Sequence, residues 1–494
     1  MAEPAEFELK RTPALVKSFG GCGVQFNHHV FAPQTLELGV PEASFVDLEK
    51  KVVALAPHFV RVFYNDQHDG VPFNPALPPS PVNRRQLPDQ DGRWKSFVKV
   101  VELAQKTGAT INITWQGGPL VTEQQRETSA ARFANVLEIL VKGGISNLRW
   151  VTLANEPNTA PKKPRRKPGE PPAPKPVQKL TPERLGATYR HLDRQLRGKG
   201  IRKQIRFMGG DLIEGSTDPK SAYNQARWFE HMSKHMGDIL DAYSTHIYWG
   251  YTDVRRFKKR LNDVRDIVQN LAHPMPVYIT EYGTRGKDRR PNTVDDPGNF
   301  HDGSKKIPLR ETNIAAFQHA WLQILAAQLG YAGMVKWDCY FGRYDKARQA
   351  YYAIGPPGPP RQPKEWQLYP MYFLLRLITM TTAPGWKVLT IKPSTSAPGT
   401  KHLAAFQGND KDLTILGLDE RGATLNKPSK TQVPYTIGGL PPRASFKLVL
   451  WNRAGKGRLV VDRTIAADAS GVAKITVPLH SVFALTTKAL PPAL

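Results

Sequence analysis

Short apolar runs rich in Val, Ile, Phe, Tyr and Trp recur at Phe19–Asn27, Phe59–Asn65, Thr110–Gln116, Leu148–Asn155, Ile205–Leu212, Ala242–Trp249, Val277–Tyr282 and Gly333–Tyr340. Amphipathic segments separate most of them: Trp94–Thr107, Ser129–Lys142, Pro182–Arg197, Tyr223–His235, Asp253–Leu271 and Thr312–Leu329. Within the second of these, Phe133, Ala134, Val136, Leu137, Leu140 and Val141 recur at helical spacing, as a helix packed on a sheet requires. Alternating strand and helix units of this kind predict an α/β fold of the (β/α)8, or TIM-barrel, type. A doubly wound open sheet is the rival topology for the same pattern. After Pro384 the pattern changes: Lys387–Ile391, Leu413–Leu418, Ser445–Trp451, Arg458–Ile465, Ala473–Val477 and Val482–Thr487 read as strands, and no long amphipathic helix intervenes. The expected organisation is a barrel over 1–384 and a C-terminal antiparallel β-sandwich over 385–494.

The connections after the second, seventh and eighth predicted strands are long. Long loops at the C-terminal ends of barrel strands build active sites in this fold. The connection after the fourth strand, 160–182, holds a Pro- and Lys/Arg-rich stretch, PKKPRRKPGEPPAPKPVQKLTP, which reads as an extended loop on the same face. Over the full 494 residues, 69 Lys and Arg stand against 43 Asp and Glu, a net charge of +26. That balance favours anionic partners, although its spread along the chain also suits a solvated surface. There is no run of roughly 18 apolar residues, so no membrane-inserting helix is expected. The start, MAEPAEFELK, has no basic stretch followed by an apolar one. The expectation is a secreted protein whose leader lies outside this sequence, with a cytoplasmic protein as the alternative. Cys22 and Cys339 fall on neighbouring barrel strands but about five residues apart in level, at roughly 3.3 Å per residue, so free thiols are expected.

Two glutamates close apolar runs at the predicted barrel mouth. The fourth strand ends in Leu153-Ala154-Asn155-Glu156-Pro157-Asn158 and the seventh in Thr280-Glu281-Tyr282-Gly283. Facing carboxyl groups about 5–5.5 Å apart are what glycosidic cleavage with retention requires. Asn155-Glu156-Pro157 and Glu281 together resemble the clan A glycoside hydrolases, (β/α)8 enzymes with catalytic carboxylates on strands four and seven. Arg61, in Phe59-Val60-Arg61-Val62, is similar to the clan's strand-two arginine. His246 and Tyr248 match its strand-six His-x-Tyr, and Trp337 resembles the strand-eight tryptophan that floors the subsite holding the cleaved sugar. The resemblance spans about residues 19–384. Members related to families five, thirty-nine and thirty also carry an appended β-sandwich. At the end of strand three, where the clan has a histidine or asparagine, this chain has Thr114-Trp115-Gln116.

The resemblance implies a retaining O-glycosidase acting on an oligosaccharide or polysaccharide, with Glu281 as nucleophile and Glu156 as acid and then base. Arg61 and Tyr248 would donate to Glu281, and desolvation plus the charge of Glu281 would raise the Glu156 carboxyl. Asn155 would hold the hydroxyl beside the anomeric carbon, and Trp337 would stack on the sugar. His246 reads either as a site residue or as a satisfied buried histidine. Trp115 and Trp249 read as subsite walls or as packing aromatics. Asn27, His28 and His29 end strand one, and at most one of them, Asn27, is taken as a sugar contact. No third ligand supports a metal there, and no cofactor is expected. The basic balance points to an acidic or envelope-attached glycan. A non-catalytic carbohydrate-binding barrel is the alternative function, and no nucleic-acid-binding module is recognisable. Sugar, linkage and oligomeric state are left open.

Overall fold

A computed structural model describes residues 5–65, 92–116, 120–160, 180–286, 298–344, 347–348, 351–357, 365–395, 397–408, 411–427, 429–452 and 455–491. Eight parallel strands close into a barrel: strand one Gly21–Phe26, two Phe59–Tyr64, three Thr110–Trp115, four Leu148–Thr152, five Arg206–Leu212, six Ala242–Gly250, seven Val277–Arg285 and eight Gly333–Lys336. Strand eight pairs with strand one, which excludes the open doubly wound sheet. These strands are buried on both faces, which is why they read as apolar runs rather than alternating ones.

Helices surround the barrel at Phe45–Leu55, Arg93–Lys106, Glu123–Lys142, Pro182–Gly198, Gln225–Met236, Arg255–Gln269, Asn313–Gln328 and Pro370–Thr381. Four of these starts follow local side-chain capping. Thr122 and Gln125 form a reciprocal capping box, so the helix expected from Ser129 begins at Glu123. Thr181, Asn224 and Thr312 each accept a backbone N–H near the start of the helix that follows. Helices Phe45–Leu55 and Pro370–Thr381 were not among the sequence expectations. The second is apolar nearly all round because barrel and sandwich cover it together.

Beyond the barrel, nine strands form a mostly antiparallel sheet curled into a sandwich. It includes Lys401–Gln407 and Gln432–Gly438, which did not read as strands; the second contains Pro434, a residue that argues against a sheet interior. The N-terminal Phe7–Lys10, read with the barrel, instead pairs with Lys387–Pro393 and Gln432–Gly438 of this sheet. One apolar face holds Phe446, Leu448 and Phe483 inside the sandwich. The other presents Phe406, Leu416, Val449 and Trp451 to the barrel's helices. Trp451 Nε1 donates to the carbonyl of Pro370 at 3.1 Å, and Lys488 Nζ to that of Thr382 at 2.6 Å.

Register decides which side chains meet inside the barrel. Arg61 sits opposite Gln25 on one side and Asn112 on the other. A shift between Thr245 and His246 skips one residue of strand seven and brings His246 opposite Glu281. A second irregularity, between Gly209 and Leu212 on strand five, occurs where Asp211 enters the network. Cys22 and Cys339 are buried free thiols, and burial pushes both up. The basic segment 161–179, most of the long connection after strand two and residues 287–297 of the one after strand seven lie outside the described residues. Among the described residues, no helix is long and apolar enough to cross a membrane.

Candidate active site

The centre of the upper barrel is one guanidinium. Arg61 is fully buried and uses all five N–H groups. Nε donates to Thr114 Oγ1 at 2.9 Å, and Nη1 to Gln25 Oε1 at 3.2 Å and Glu281 Oε2 at 2.9 Å. Nη2 donates to Asn155 Oδ1 at 2.7 Å and Asp211 Oδ2 at 2.6 Å. Burying such a charge is costly unless its geometry and hydrogen bonding are complete, and here they are. Burial works against the cation, but Asp211 and Glu281 outweigh it, so Arg61 stays charged. With all five donors engaged, Arg61 orients the side chains around it.

Glu281 also receives the Tyr248 hydroxyl at Oε1. Burial, then the charge of Glu281, pushes the Tyr248 hydroxyl well above its ordinary range, so it remains a donor. Glu156 comes from the turn after strand four. Its side chain is 31% exposed, and its Oε1 lies 3.0 Å from His246 Nδ1. One oxygen from each glutamate and a ring nitrogen of His246 lie within 4.8 Å of one another. His246 is therefore not a bystander in the core: its Nδ1 is also 3.6 Å from Glu281 Oε2, and its Nε2 is 3.9 Å from Asp211 Oδ1. Burial lowers its imidazole, but the facing charges of Glu281, Glu156 and Asp211 prevail and hold it above the ordinary value.

The Glu156 carboxyl departs from expectation. Burial does push it up, but the hydrogen bond and charge of His246, with Arg61 and Arg285 behind them, outweigh burial and hold it below its ordinary range. His246 was not weighed as its partner in the sequence because its position opposite strand seven depends on the register shift.

Asp211 is the residue that sequence reasoning missed. It is fully buried, ion-paired with Arg61, and accepts from the hydroxyls of Ser244, at 2.8 Å, and Thr280. Burial opposes its ionisation, but Arg61 and His246, helped by those hydroxyls, hold it low. Its backbone carbonyl also accepts the Glu156 N–H at 3.2 Å. Three non-glycine residues here occupy positive φ: Ala154 at 147°, Glu156 at 51° and Asp211 at 48°. Such backbone costs about 1–3 kcal/mol each and collects at functional sites. The signal available in the sequence was an acid following Gly209-Gly210 at a strand end; Gly210, at φ 121°, lets the chain turn Asp211 inward.

The aromatic candidates divide. Trp337 is 7% exposed and groups with Phe63, Tyr351 and Tyr248 at the mouth. Buried Lys336 donates to the Trp337 carbonyl at 2.7 Å, the Asp338 carbonyl at 3.0 Å, and the Tyr351 carbonyl; burial lowers its ammonium to about 7. Trp115 lies on the other side of its strand, stacked on Phe133 of a surrounding helix, and Trp249 packs on Phe257. Both are packing aromatics, because outward positions of a barrel strand meet helices. Asn27 is buried too; its Oδ1 accepts the His29 N–H at 3.0 Å, while its NH2 group has no hydrogen-bond partner among the described residues.

No protein-family model matches the sequence, and no curated protein matches it. Solved structures do. The catalytic domain of the glycoside hydrolase family 30 xylanase C from Talaromyces cellulolyticus is similar with a TM-score of 0.64 at 10% identity, over 98% of this chain and 100% of that one. The α-L-arabinofuranosidase of Thermotoga maritima is similar at 0.61 and 12% identity, over 98% and 100%. AbfB, a family 51 α-L-arabinofuranosidase from Bifidobacterium longum, is similar at 0.60 and 13% identity, over 98% and 99%. The whole chain, barrel and sandwich together, thus has the fold of clan A (β/α)8 glycosidases and a distant resemblance to several of them.

Proposed function

We propose that the protein is a retaining O-glycosidase in which Glu281 is the nucleophile and Glu156 the acid and base. The observation that carries this reading is the approach of the two glutamates at the C-terminal mouth, with His246, to within 4.8 Å between oxygen and nitrogen atoms. That closeness suits direct attack by one carboxylate, the arrangement of a retaining enzyme, better than the wider spacing that an inverting mechanism needs for its water. Arg61 and Tyr248 aim Glu281 from two sides. Glu281 forms a bond to the anomeric carbon while the glycosidic oxygen leaves with a proton from Glu156. Water, deprotonated by Glu156, then displaces Glu281 and restores both groups.

The proton that Glu156 must give rests, in the free protein, toward His246. A bound sugar removes water from this pair and favours its neutral form over the ion pair, which moves the proton onto Glu156. Once Glu281 is esterified its charge is gone, and Glu156 can take a proton from water. Asn155, whose Oδ1 is taken by Arg61, has its NH2 group left for the hydroxyl beside the anomeric carbon, and Trp337 supplies an aromatic surface. The xylanase and arabinofuranosidases among the similar structures put pentose-containing glycans first in a substrate panel. The net charge of +26 puts acidic glycans second.

The test is hydrolysis of nitrophenyl glycosides and polysaccharides by wild type and Glu281→Gln, with product anomers followed by NMR. Turnover with retained configuration, abolished in the variant, is expected. Inverted products or a fully active variant would remove the assignment. Glycan binding without turnover by either protein would favour the non-catalytic alternative.

A further inference from the structure

The opposite end of the barrel carries a second concave site. At the N-terminal mouth, a cavity of about 490 Å³ is lined by Phe59, Trp150 and Tyr278 from strands two, four and seven, and by Arg149, Lys203 and Arg206. The three aromatic rings form the bottom layer of the barrel interior: Tyr278 lies 5.8 Å from Phe59 and 5.4 Å from Trp150, centroid to centroid. The cations come from strand four, from the turn Arg202–Gln204 before strand five, and from the first residue of strand five. Arg206 stands over the Trp150 ring at 5.7 Å.

No acidic residue lines this cavity, and no described carboxylate forms an ion pair with any of its three cations. The chain's other surface cations often do pair: Arg190 with Asp238, Arg256 with Glu214, Lys259 with Asp263. The three cations are exposed, and gathering like charges around one concavity concentrates their field there. Hydroxyl groups complete the lining. Ser18 and Thr110 also line it, and Tyr278 adds a phenol for which no hydrogen bond to another described residue is found. Burial pushes that phenol up to about 12, so it stays a donor at any physiological pH. Arginine and hydroxyl donors around one concavity are the chemistry that recognises phosphate and sulfate oxygens.

We propose that this basal cavity binds a small oxyanionic ligand, a phosphate or sulfate ester, with Arg149, Lys203 and Arg206 supplying the charge and Tyr278 a neutral donor. The site lies at the far end of the barrel from Glu156 and Glu281, so it stands independently of the glycosidase reading. A free phosphorylated compound and a sulfated sugar present the same oxygens and are separated by experiment.

The test is calorimetric titration at low salt with inorganic pyrophosphate, a sulfated disaccharide and its unsulfated counterpart. It uses wild type, Arg149→Gln/Lys203→Gln/Arg206→Gln, and the charge-matched surface control Lys305→Gln/Lys392→Gln/Lys430→Gln. Saturable binding of one anionic probe is expected, weakened at least about tenfold in the cavity variant and by less than about threefold in the control. Whichever anionic probe binds more tightly assigns the source. Equal weakening in both variants would trace binding to the general positive field and overturn the proposal, as would equal binding of the unsulfated sugar or no saturable binding at all. Should the triple variant be unstable, the single Arg206→Gln against Lys430→Gln makes the same comparison. An intact melting profile of Glu281→Gln with unchanged anion affinity separates this site from the catalytic one.

Discussion

The two mouths of one barrel solve the problem of charge in opposite ways. At the C-terminal mouth the central cations are answered by acids: Arg61 spends five donors, two of them on the carboxylates of Asp211 and Glu281, and His246 stands among three acids. At the N-terminal mouth three cations ring an aromatic floor with no acid among them. The first arrangement is closed and rigid, so losing one member leaves the others buried and uncompensated. The second is open, and water already solvates its charges. Buried networks should therefore break expensively and the basal cluster should be removed at almost no cost to the fold.

Arg61→Met tests the closed end most severely. It leaves Asp211 and Glu281 unpaired and should cost about 3–5 kcal/mol in urea denaturation. A cost below about 1 kcal/mol would show that the network does not depend on its guanidinium. Glu156→Gln keeps the shape but loses the transferable proton; turnover of any substrate the wild type accepts should fall about 10²–10⁴-fold with the melting temperature little changed. Equal loss of fold and activity would make Glu156 a structural residue. Asp211→Asn replaces a buried acceptor by a group that cannot satisfy Arg61, Ser244 and Thr280 together. It should destabilise by about 1–3 kcal/mol in the same denaturation assay, and it should lower the His246 imidazole seen by NMR titration.

His246→Asn acts through pH. The raised imidazole stabilises the fold below the unfolded histidine range, and that contribution disappears as pH rises through its folded value. The stability gap between wild type and variant should shrink between about pH 5 and about pH 8. The variant should also raise the Glu156 carboxyl, which loses its cationic partner, and shift the alkaline limb of the activity profile, because the imidazole no longer holds the pair's proton. An unmoved limb would detach His246 from the proton of Glu156. At the open end, Arg206→Gln should change stability by less than about 0.5 kcal/mol, the smallest effect in the set.

Much of this contrast was visible as residues before it was visible as geometry. Glu156, Glu281, Arg61, Tyr248 and Trp337 each lie in or directly after an apolar strand run, and the succession of those runs gathers them at one mouth. Trp115 and Trp249 share that sequence context, yet they face helices, because one step along a strand reverses the side chain. Asp211 escaped notice for a related reason. Its inward turn follows from an irregular register on strand five, a long-range property that local composition does not encode. Helix Pro370–Thr381 was missed because an apolar face all round shows no period; its covering partners lie in two separate parts of the chain.

The sequence by itself determined the alternation of strands and helices, the change of architecture near residue 384, and which carboxylates stand at strand ends. These rest on local propensity and period, which neighbouring residues set. Only the tertiary structure decided that His246 meets Glu156, that Asp211 shares Arg61 with Glu281, and that the Glu156 carboxyl is held low. It also brought Arg149, Lys203 and Arg206 over one aromatic floor. The physical reason is that ionisation and pairing depend on distances of a few ångströms between residues far apart in the chain. Barrel closure and strand register fix those distances, and no local pattern does.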